Sequence, residues 1–325
     1  MLECLAVNPG KSEQFADGLR DLCRHLLLDA QSSDGGWPYE RARNSAVEPT
    51  CWALISLKSH PGNLPDVHRG LAMLRDSQLP GGAWPARPGH RAGCWATSLA
   101  SLAVFLHDGD CEPVRKGLNW LCSSWPAESG LWWRARTWFR PTANVAGQDS
   151  SLAGWSWTPG AASWVEPTAY SLLLLNTVPE DLLPRHATKR RRLGEAMLYN
   201  RMCPGGGWNS GNPLVYGVPG ERRVGPTAWA LLALRGYANR AENQQSLRWL
   251  EQAYHQIAGP ASVALAGLCL RAYGRPQPGL EARLASLYEM NGFLGNIPAA
   301  ALSLIALSPE QDCLFDDSGR RRSDP

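Results

Sequence analysis

Hydrophobic and polar positions follow two patterns that take turns along the chain. In segments such as residues 15–30, apolar residues return at the spacing of one helix face, which predicts an amphipathic helix. In segments such as residues 227–237, nearly every position is apolar, which predicts a helix buried on all sides. The amphipathic pattern occurs at residues 15–30, 67–76, 113–122, 187–201, 242–257 and 279–288, and the apolar pattern at 50–57, 93–106, 168–176, 227–237, 261–273 and 298–307. The chain is therefore predicted to form six helical hairpins, each with an outer and an inner helix.

A glycine-rich turn that ends in tryptophan precedes four of the inner helices. These turns end at Trp37, Trp84, Trp132 and Trp208. Self-similar units of this kind cannot bury their apolar faces alone and must stack on their neighbours. Closing the stack into a ring would remove the exposed terminal units that an open solenoid has to cap. The sequence thus predicts an all-α fold, an α6/α6 toroid of six helical hairpins, as one domain over residues 1–310.

Two inserts interrupt the repeat, at about residues 133–164 and 209–224. Long loops without their own secondary structure are usually functional or disordered. Both inserts precede an inner helix, so we expect them at the same end of the toroid. The tail, residues 311–325, is polar and charged and is predicted to be disordered.

The amino-acid composition limits which binding partners and which cellular compartment are expected. Lys and Arg number 32 against 29 Asp and Glu, so the charge gives no reason to expect a nucleic-acid partner. We expect no transmembrane helix, because no apolar run approaches twenty residues, and no secretory signal at the N-terminus. The nine Cys are scattered without a Cys-x-x-Cys pair, which favours free thiols in a reducing compartment. A cytoplasmic protein is expected, with peripheral membrane association left open and a partner protein unknown.

The repeated turns carry a resemblance to a known superfamily. The stretch that runs from Arg69 through Gln78 to Trp84 resembles the QW repeat of squalene–hopene cyclases and protein prenyltransferases. Residues 31–37 match the second half of that repeat, and residues 227–234 look like the inner-helix start that follows it. The resemblance extends over about residues 15–308. It implies an α6/α6 barrel whose apolar central cavity holds an isoprenoid chain.

The cyclases of this superfamily carry an Asp-x-Asp-Asp-Thr motif at an inner-helix start, and its middle Asp protonates the substrate. The corresponding stretch here is Trp164-Val-Glu-Pro-Thr168, in which Glu166 keeps a carboxylate at the middle position. The flanking acids are absent, although an acid strong enough for an alkene needs partners that stabilise its conjugate base. Val47-Glu-Pro-Thr50 repeats the phrase, so Glu48 matches equally well. Both Glu residues could instead be helix-start residues that the helix dipole favours.

The prenyltransferases of the superfamily hold zinc with an Asp-x-Cys pair and a His. Cys94 matches the Cys of that pair, but Ala92 replaces the Asp, and the phrase that begins at Val224 contains no His. His90 and Cys94 alone fall short of the three or four ligands that zinc needs, and a different site would have to add Glu48 and Glu166. We therefore expect no zinc site, and magnesium only if the substrate is a diphosphate.

Aromatic and cationic residues supply the remaining substrate contacts. Aromatic faces stabilise carbocations, and arginine side chains bind diphosphates. The expected substrate-binding residues are Trp52, Trp95, Tyr170, Trp229, Trp164 and Thr168 along the cavity, and His90, Arg91, Arg222 and Arg223 at its mouth. The same aromatic residues could simply fill the core, and the same loop cations could simply be solvated.

Taken together, the leading hypothesis is a terpenoid-cyclase-like enzyme that acts on an isoprenoid in a central aromatic cavity. Glu166, ahead of Glu48, is the expected proton donor. Two alternatives remain open: a non-catalytic toroid that binds a prenyl chain, another lipid or a peptide, and a divergent single-chain prenyltransferase.

Overall fold

The computed structural model describes residues 9–58, 62, 64–130 and 148–308, and the side chains from residue 18 onward. Within these ranges the chain forms twelve α-helices and one small hairpin. The helices are α1 Pro9–Asp29, α2 Val47–Leu57, α3 Leu64–Ser77, α4 Ala96–Asp108, α5 Glu112–Ser123, α6 Val165–Thr177, α7 Ala187–Asn200, α8 Val224–Ala233, α9 Ala241–Tyr254, α10 Pro260–Ala272, α11 Leu280–Asn291 and α12 Ile297–Leu307. The strands β1 Leu214–Val215 and β2 Val218–Pro219 pair antiparallel. The fold is all-α apart from this hairpin.

Each segment predicted from hydrophobic periodicity coincides with one of these helices. The largest boundary differences lie at α1, which begins six residues earlier than predicted, and at α8, which ends at Ala233 and continues as the 3₁₀ turn Arg235–Tyr237. The predicted tail, residues 311–325, lies outside the described residues. So do residues 133–147 of the first insert and residue 132, the predicted third turn Trp.

The even-numbered helices, which we call the inner helices, pack against one another in sequence. Helix α2 contacts α4, α4 contacts α6, and the series continues through α8 and α10 to α12, which contacts α2 again. The odd-numbered helices pack on the outside of this series, for example α5 on α4, α7 on α6 and α9 on α8. This explains why the inner helices are apolar on every face, since each has neighbours on all sides.

One buried tryptophan fixes the start of each of four inner helices. The indole N–H of Trp37, for example, donates to the carbonyl of Leu27 in α1 at 2.7 Å. Its backbone N–H donates to the Thr50 hydroxyl in α2 at 2.8 Å. The same two bonds recur for Trp84 with Leu74 and Thr97, for Trp155 with Leu121 and Thr168, and for Trp208 with Leu198 and Thr227. The third turn tryptophan is therefore Trp155, because the insert displaces the turn along the sequence.

Glutamine and glycine tie these turns to the next outer helix. The Gln78 amide donates both to the Gly82 carbonyl within its turn and to the Pro113 carbonyl in α5, each at 2.9 Å. Gly82 has φ 89°, and a Cβ at this position would lie 2.5 Å from the carbonyl oxygen of Lys116. Glycine is therefore required where the turn meets the neighbouring helix backbone. These bonds explain physically why glutamine, glycine and tryptophan recur together.

Truncating one of these tryptophans should be costly. We expect Trp208→Ala to lower the free energy of unfolding by about 3–5 kcal/mol, because it leaves a cavity and removes the hydrogen bond from the indole N–H to the Leu198 carbonyl. Urea unfolding measures this difference. The matched control is Tyr216→Ala, whose side chain is 87% exposed and should change stability by less than about 0.5 kcal/mol. Equal losses in the two variants would contradict the structural role.

Candidate functional site

The first backbone hydrogen bond of an inner helix identifies which of its residues are equivalent to residues of the other inner helices. The amides of Thr50, Thr168 and Thr227 each donate to the carbonyl four residues earlier. Those of Val263 and Ala300 do the same in α10 and α12. The residues two places before these anchors are Glu48, Glu166, Gly225, Ala261 and Pro298, and those two places after them are Trp52, Tyr170, Trp229, Leu265 and Leu302. Because positions four apart share one helix face, each of the inner helices α2, α6, α8, α10 and α12 presents one residue of each set, one above the other.

Three rings of the second set meet in the middle of the inner helices. We call Trp52, Tyr170 and Trp229 the aromatic layer. Trp52 and Trp229 stack with ring centroids 5.0 Å apart, although α2 and α8 stand three places apart in the series of contacts. Tyr170 meets both edge-on, at 6.0 Å from Trp52 and 5.2 Å from Trp229. Their exposed fractions are 2%, 5% and 5%, so the rings fill the centre at this level.

The residues one turn above the aromatic layer are partly exposed. Glu48, Glu166, Gly225, Ala261 and Pro298 all keep some contact with solvent, whereas every residue of the set below is buried. Solvent therefore reaches the centre of the inner helices down to the level of the two carboxyl groups. The aromatic layer forms the floor of this opening.

Glu48 is held by two hydrogen-bond donors. The hydroxyl of Tyr39 donates to Glu48 Oε2 at 2.5 Å, and the Trp52 side chain provides a second hydrogen bond. Burial raises the pKa of Glu48 above its ordinary value, and the two hydrogen bonds oppose that rise only in part. The pKa of Tyr39 is raised by its own burial and by the Glu48 charge, so Tyr39 keeps its proton. The site thus favours a protonated Glu48 whose conjugate base has donors ready.

Glu166 has a different environment at the equivalent position. Its Oε2 atom is buried and has no hydrogen-bond partner. Burial raises the pKa of Glu166, while a bond from its own backbone and the charge of Arg223 act in the opposite direction. A buried oxygen without a partner costs about 1–3 kcal/mol and calls for an explanation. An unpaired proton carrier at an open site is one such explanation.

The two carboxyl groups act on the same tyrosine. The pKa of Tyr170 is raised mainly by burial, and then by the charges of Glu48 and Glu166. Tyr170 therefore lies within electrostatic range of both carboxyl groups, directly below them. The structure brings together Glu48, Glu166, Trp52, Tyr170 and Trp229 of the residues predicted from the sequence.

Other predicted substrate contacts do not belong to the aromatic layer. Thr168 is fully buried and its hydroxyl holds the Trp155 turn, so its role is structural. The Trp95 ring packs edge-on against Trp157 at 5.1 Å, and its indole N–H is buried without a partner. Trp164 precedes α6 and bonds through its backbone to Trp155.

The four cationic residues predicted at the cavity mouth have different surroundings in the structure. Arg223 is exposed and acts on Glu166. Arg222 instead donates to the Gly205 carbonyl and lies over the Trp249 ring. His90 and Arg91 are exposed.

Cys94 is a buried thiol in an apolar setting. Its sulfur lies 3.6 Å from the Trp84 carbonyl, and burial raises the pKa of Cys94 to about 11. Among the described residues, no three His, Cys, Asp or Glu side chains lie close enough to hold a metal ion. No helix in the described ranges combines the length and apolar character that a membrane span requires.

Tyr39 is the site residue that the sequence analysis missed. The signal lay in the repeat, because residues two places after each turn tryptophan are equivalent. The carbonyls of Tyr39, Ala86, Trp157 and Ser210 each accept from an amide at the start of a neighbouring inner helix, which for Trp157 is the amide of Trp95, just before α4. A side chain at this position therefore lies beside two inner-helix starts, and Tyr39 reaches Glu48 from there.

The raised pKa of Glu166 predicts a pH-dependent stability. Below the ordinary carboxyl pKa both states are protonated, and as pH rises the unfolded chain ionises first. The wild-type protein should therefore lose stability through the folded-state pKa, and Glu166→Gln should gain in Tm relative to wild type between pH 4 and pH 8. Thermal melting across this range checks the sign. The control is Glu112→Gln, because Lys116 holds the pKa of exposed Glu112 below its usual value; this variant should lose Tm relative to wild type as pH rises to the ordinary carboxyl pKa and show no trend above it. A Tm difference that stays constant with pH for Glu166→Gln would contradict this.

No protein-family profile and no curated protein matches the chain significantly. Solved structures do share its fold. A variant of the type II terpene cyclase MstE from Scytonema, in complex with merosterolic acid A (product), has a TM-score of 0.58 at 14% identity, covering 90% of this chain and 96% of that chain. Another MstE variant, in complex with geranylgeranyl dihydroxybenzoate (substrate), has a TM-score of 0.58 at 14% identity, covering 90% and 97%.

A novel alpha-amylase from Clostridium perfringens has a TM-score of 0.59 at 10% identity, with 89% of this chain and 97% of that chain covered. At these identities the similarity establishes the fold alone. The chain thus has a terpenoid-cyclase-like fold, and its chemistry has to be argued from the site.

Proposed function

We propose that the protein is a terpenoid-cyclase-like enzyme, built as an α6/α6 toroid, that cyclises an isoprenoid by protonation. The closed series of contacts among the inner helices supports the toroid. One observation carries the function: two carboxyl groups with raised pKa values lie at an open site directly above an aromatic layer. A neutral acid next to aromatic faces suits a reaction that begins with proton transfer to an alkene.

Glu48 is the proposed proton donor. Its carboxyl proton adds to one carbon of a substrate double bond, the π electrons form the new C–H bond, and a carbocation develops on the other carbon. The Tyr39 hydroxyl and the Trp52 side chain then stabilise the Glu48 carboxylate that remains. A second double bond of the substrate attacks the cation to close a ring, and loss of a proton to a base ends the reaction. The aromatic layer stabilises the cation by about 2 kcal/mol where water is excluded.

Glu166 is the second candidate for the donor. The unpaired Oε2 atom favours it, because a proton on that oxygen has no acceptor in the described protein. Against it stands Arg223, whose charge favours the ionised form. We therefore propose Glu48 ahead of Glu166, which is the reverse of the order expected from the sequence.

A non-catalytic binding protein remains the alternative from a different class. The stacked aromatic layer favours it, because these rings leave no channel between them for a long chain at their own level. A prenyltransferase would instead depend on a diphosphate substrate and on a metal ion.

The test is incubation of the purified protein with geranylgeranyl dihydroxybenzoate, prenyl diphosphates and squalene, with and without zinc and magnesium. Mass spectrometry of the extracts separates the outcomes. A cyclised isomer of the substrate, formed without metal, supports the cyclase. Retention of a lipid without conversion would support a binding protein instead. Release of diphosphate that requires a metal ion would support a prenyltransferase.

A further inference from the structure

A cavity of about 490 Å³ opens at the loop that precedes α2. It is lined by Tyr39, Glu40, Ala42, Arg43, Asn44 and Arg87, which belong to the loops before α2 and α4. Small-molecule sites commonly have volumes of about 300–1,000 Å³, so this cavity has room for a polar group rather than only for water. We call it the loop cavity.

Two arginines of the loop cavity are unpaired. Within the described residues, neither Arg43 nor Arg87 forms an ion pair or a side-chain hydrogen bond. Their neighbour Arg41 differs, because it pairs with Asp29 at 3.2 Å and does not line the cavity. Glu40 is the one acidic residue in the lining, so the cavity holds two positive charges against one negative charge. Guanidinium groups without partners are suited to binding carboxylate or phosphate oxygens.

Tyr39 connects the loop cavity to the proposed proton donor. Tyr39 is one of the residues that line the cavity, and its hydroxyl donates to Glu48 Oε2. The loop is anchored on its other side, because the Tyr39 carbonyl accepts from the Ile297 amide and Glu40 bridges to Asn296. A group held by Arg43 and Arg87 would therefore be separated from Glu48 by one side chain.

We infer that the loop cavity binds the anionic head group, a carboxylate or a phosphate, of an amphiphilic substrate. The apolar chain of that substrate then extends past Tyr39 to Glu48 and the aromatic layer. This last placement rests on the proposed function, whereas the head-group site stands on the cavity and its unpaired arginines.

Binding of short amphiphiles tests the inference without any turnover. Octyl phosphate, octanoate and octanol are titrated into the full-length protein and followed by calorimetry, with inorganic phosphate as a competitor. We expect the two anions to bind and Arg43→Gln or Arg87→Gln to weaken that binding about 10- to 100-fold, while weak octanol binding stays unchanged. Glu40→Gln should strengthen anion binding. A stronger effect on octyl phosphate than on octanoate would identify a phosphate head.

The control is Arg115→Gln, which removes an exposed arginine that pairs with Asp110 at the opposite end of the helices. Thermal melting confirms that each variant is folded. Anion binding that survives both Arg43→Gln and Arg87→Gln, or that falls equally in Arg115→Gln, overturns the inference. Arginine-dependent binding without conversion of any isoprenoid overturns the proposed function alone, and conversion with arginine-independent binding overturns the head-group site alone.

Discussion

Replacing Glu48 by glutamine should reduce the rate of cyclisation by about 10²–10⁴-fold, the range that positioned proton transfer contributes. Glutamine keeps an oxygen that can accept from the Tyr39 hydroxyl, so the loop before α2 should stay in place. The loss would then come from the missing proton rather than from local rearrangement. Steady-state rates with the best substrate of the panel, together with Tm values, measure both.

The matched variant is Glu166→Gln, which alters the equivalent carboxyl group above the same aromatic layer. If Glu48 is the donor, Glu166→Gln should retain much more activity than Glu48→Gln. A folded Glu48→Gln protein with wild-type activity would contradict the assignment, and loss confined to Glu166→Gln would transfer the role to Glu166.

Replacing Trp229 by leucine should both slow the reaction and weaken the fold. The stacked partner of Trp52 disappears, and with it about 2 kcal/mol of cation stabilisation, which corresponds to about a 30-fold lower rate. The buried volume that is lost should also lower the free energy of unfolding by about 2–4 kcal/mol. Rates are therefore compared below the unfolding temperature of the variant.

Trp229→Phe provides the control for packing, because it keeps an aromatic face at the same position. We expect it to recover most of the rate and part of the stability. If Trp229→Leu and Trp229→Phe cyclise the substrate at the same rate as wild type, the aromatic layer does not stabilise the reacting cation and serves only to fill the core.

The helices could be predicted from the sequence because their signals are local. Hydrophobic periodicity in segments such as residues 187–201 and the proline in the first turn at Pro167 each depend on few neighbouring residues. The third turn tryptophan was assigned to Trp132, whereas Trp155 makes the bonds to Leu121 and Thr168. The long insert hides this equivalence, because the distance along the sequence no longer matches the repeat.

The candidate site depends on distances between residues that are far apart in the sequence, and local sequence patterns carry no information on these distances. Periodicity placed Trp52 and Trp229 on inner helices, but it could not tell that rings from α2 and α8 stack on each other. That contact depends on how closely the inner helices approach across the centre. The Tyr39 bond to Glu48 likewise joins a loop to a helix start, so neither residue alone predicted it.

The two Glu residues show that a sequence motif alone does not determine the electrostatic environment of a carboxyl group. Glu48 and Glu166 stand in the same Glu-Pro-Thr phrase, yet Glu48 has two hydrogen-bond donors and Glu166 has an unpaired oxygen near Arg223. Identical local sequence therefore produced different electrostatic environments. The difference comes from the turns that precede the two helices, which carry Tyr39 in one case and Trp157 in the other, and from the residue four places after each Glu, which is Trp52 in α2 and Tyr170 in α6.

The central claim is that the reaction begins with a proton from the enzyme. The most direct measurement is turnover in D₂O followed by mass spectrometry of the product. Because carboxyl protons exchange with solvent, protonation by Glu48 predicts one non-exchangeable deuterium in each product molecule and a product otherwise isomeric with the substrate. A product without deuterium, accompanied by release of diphosphate, would contradict the account.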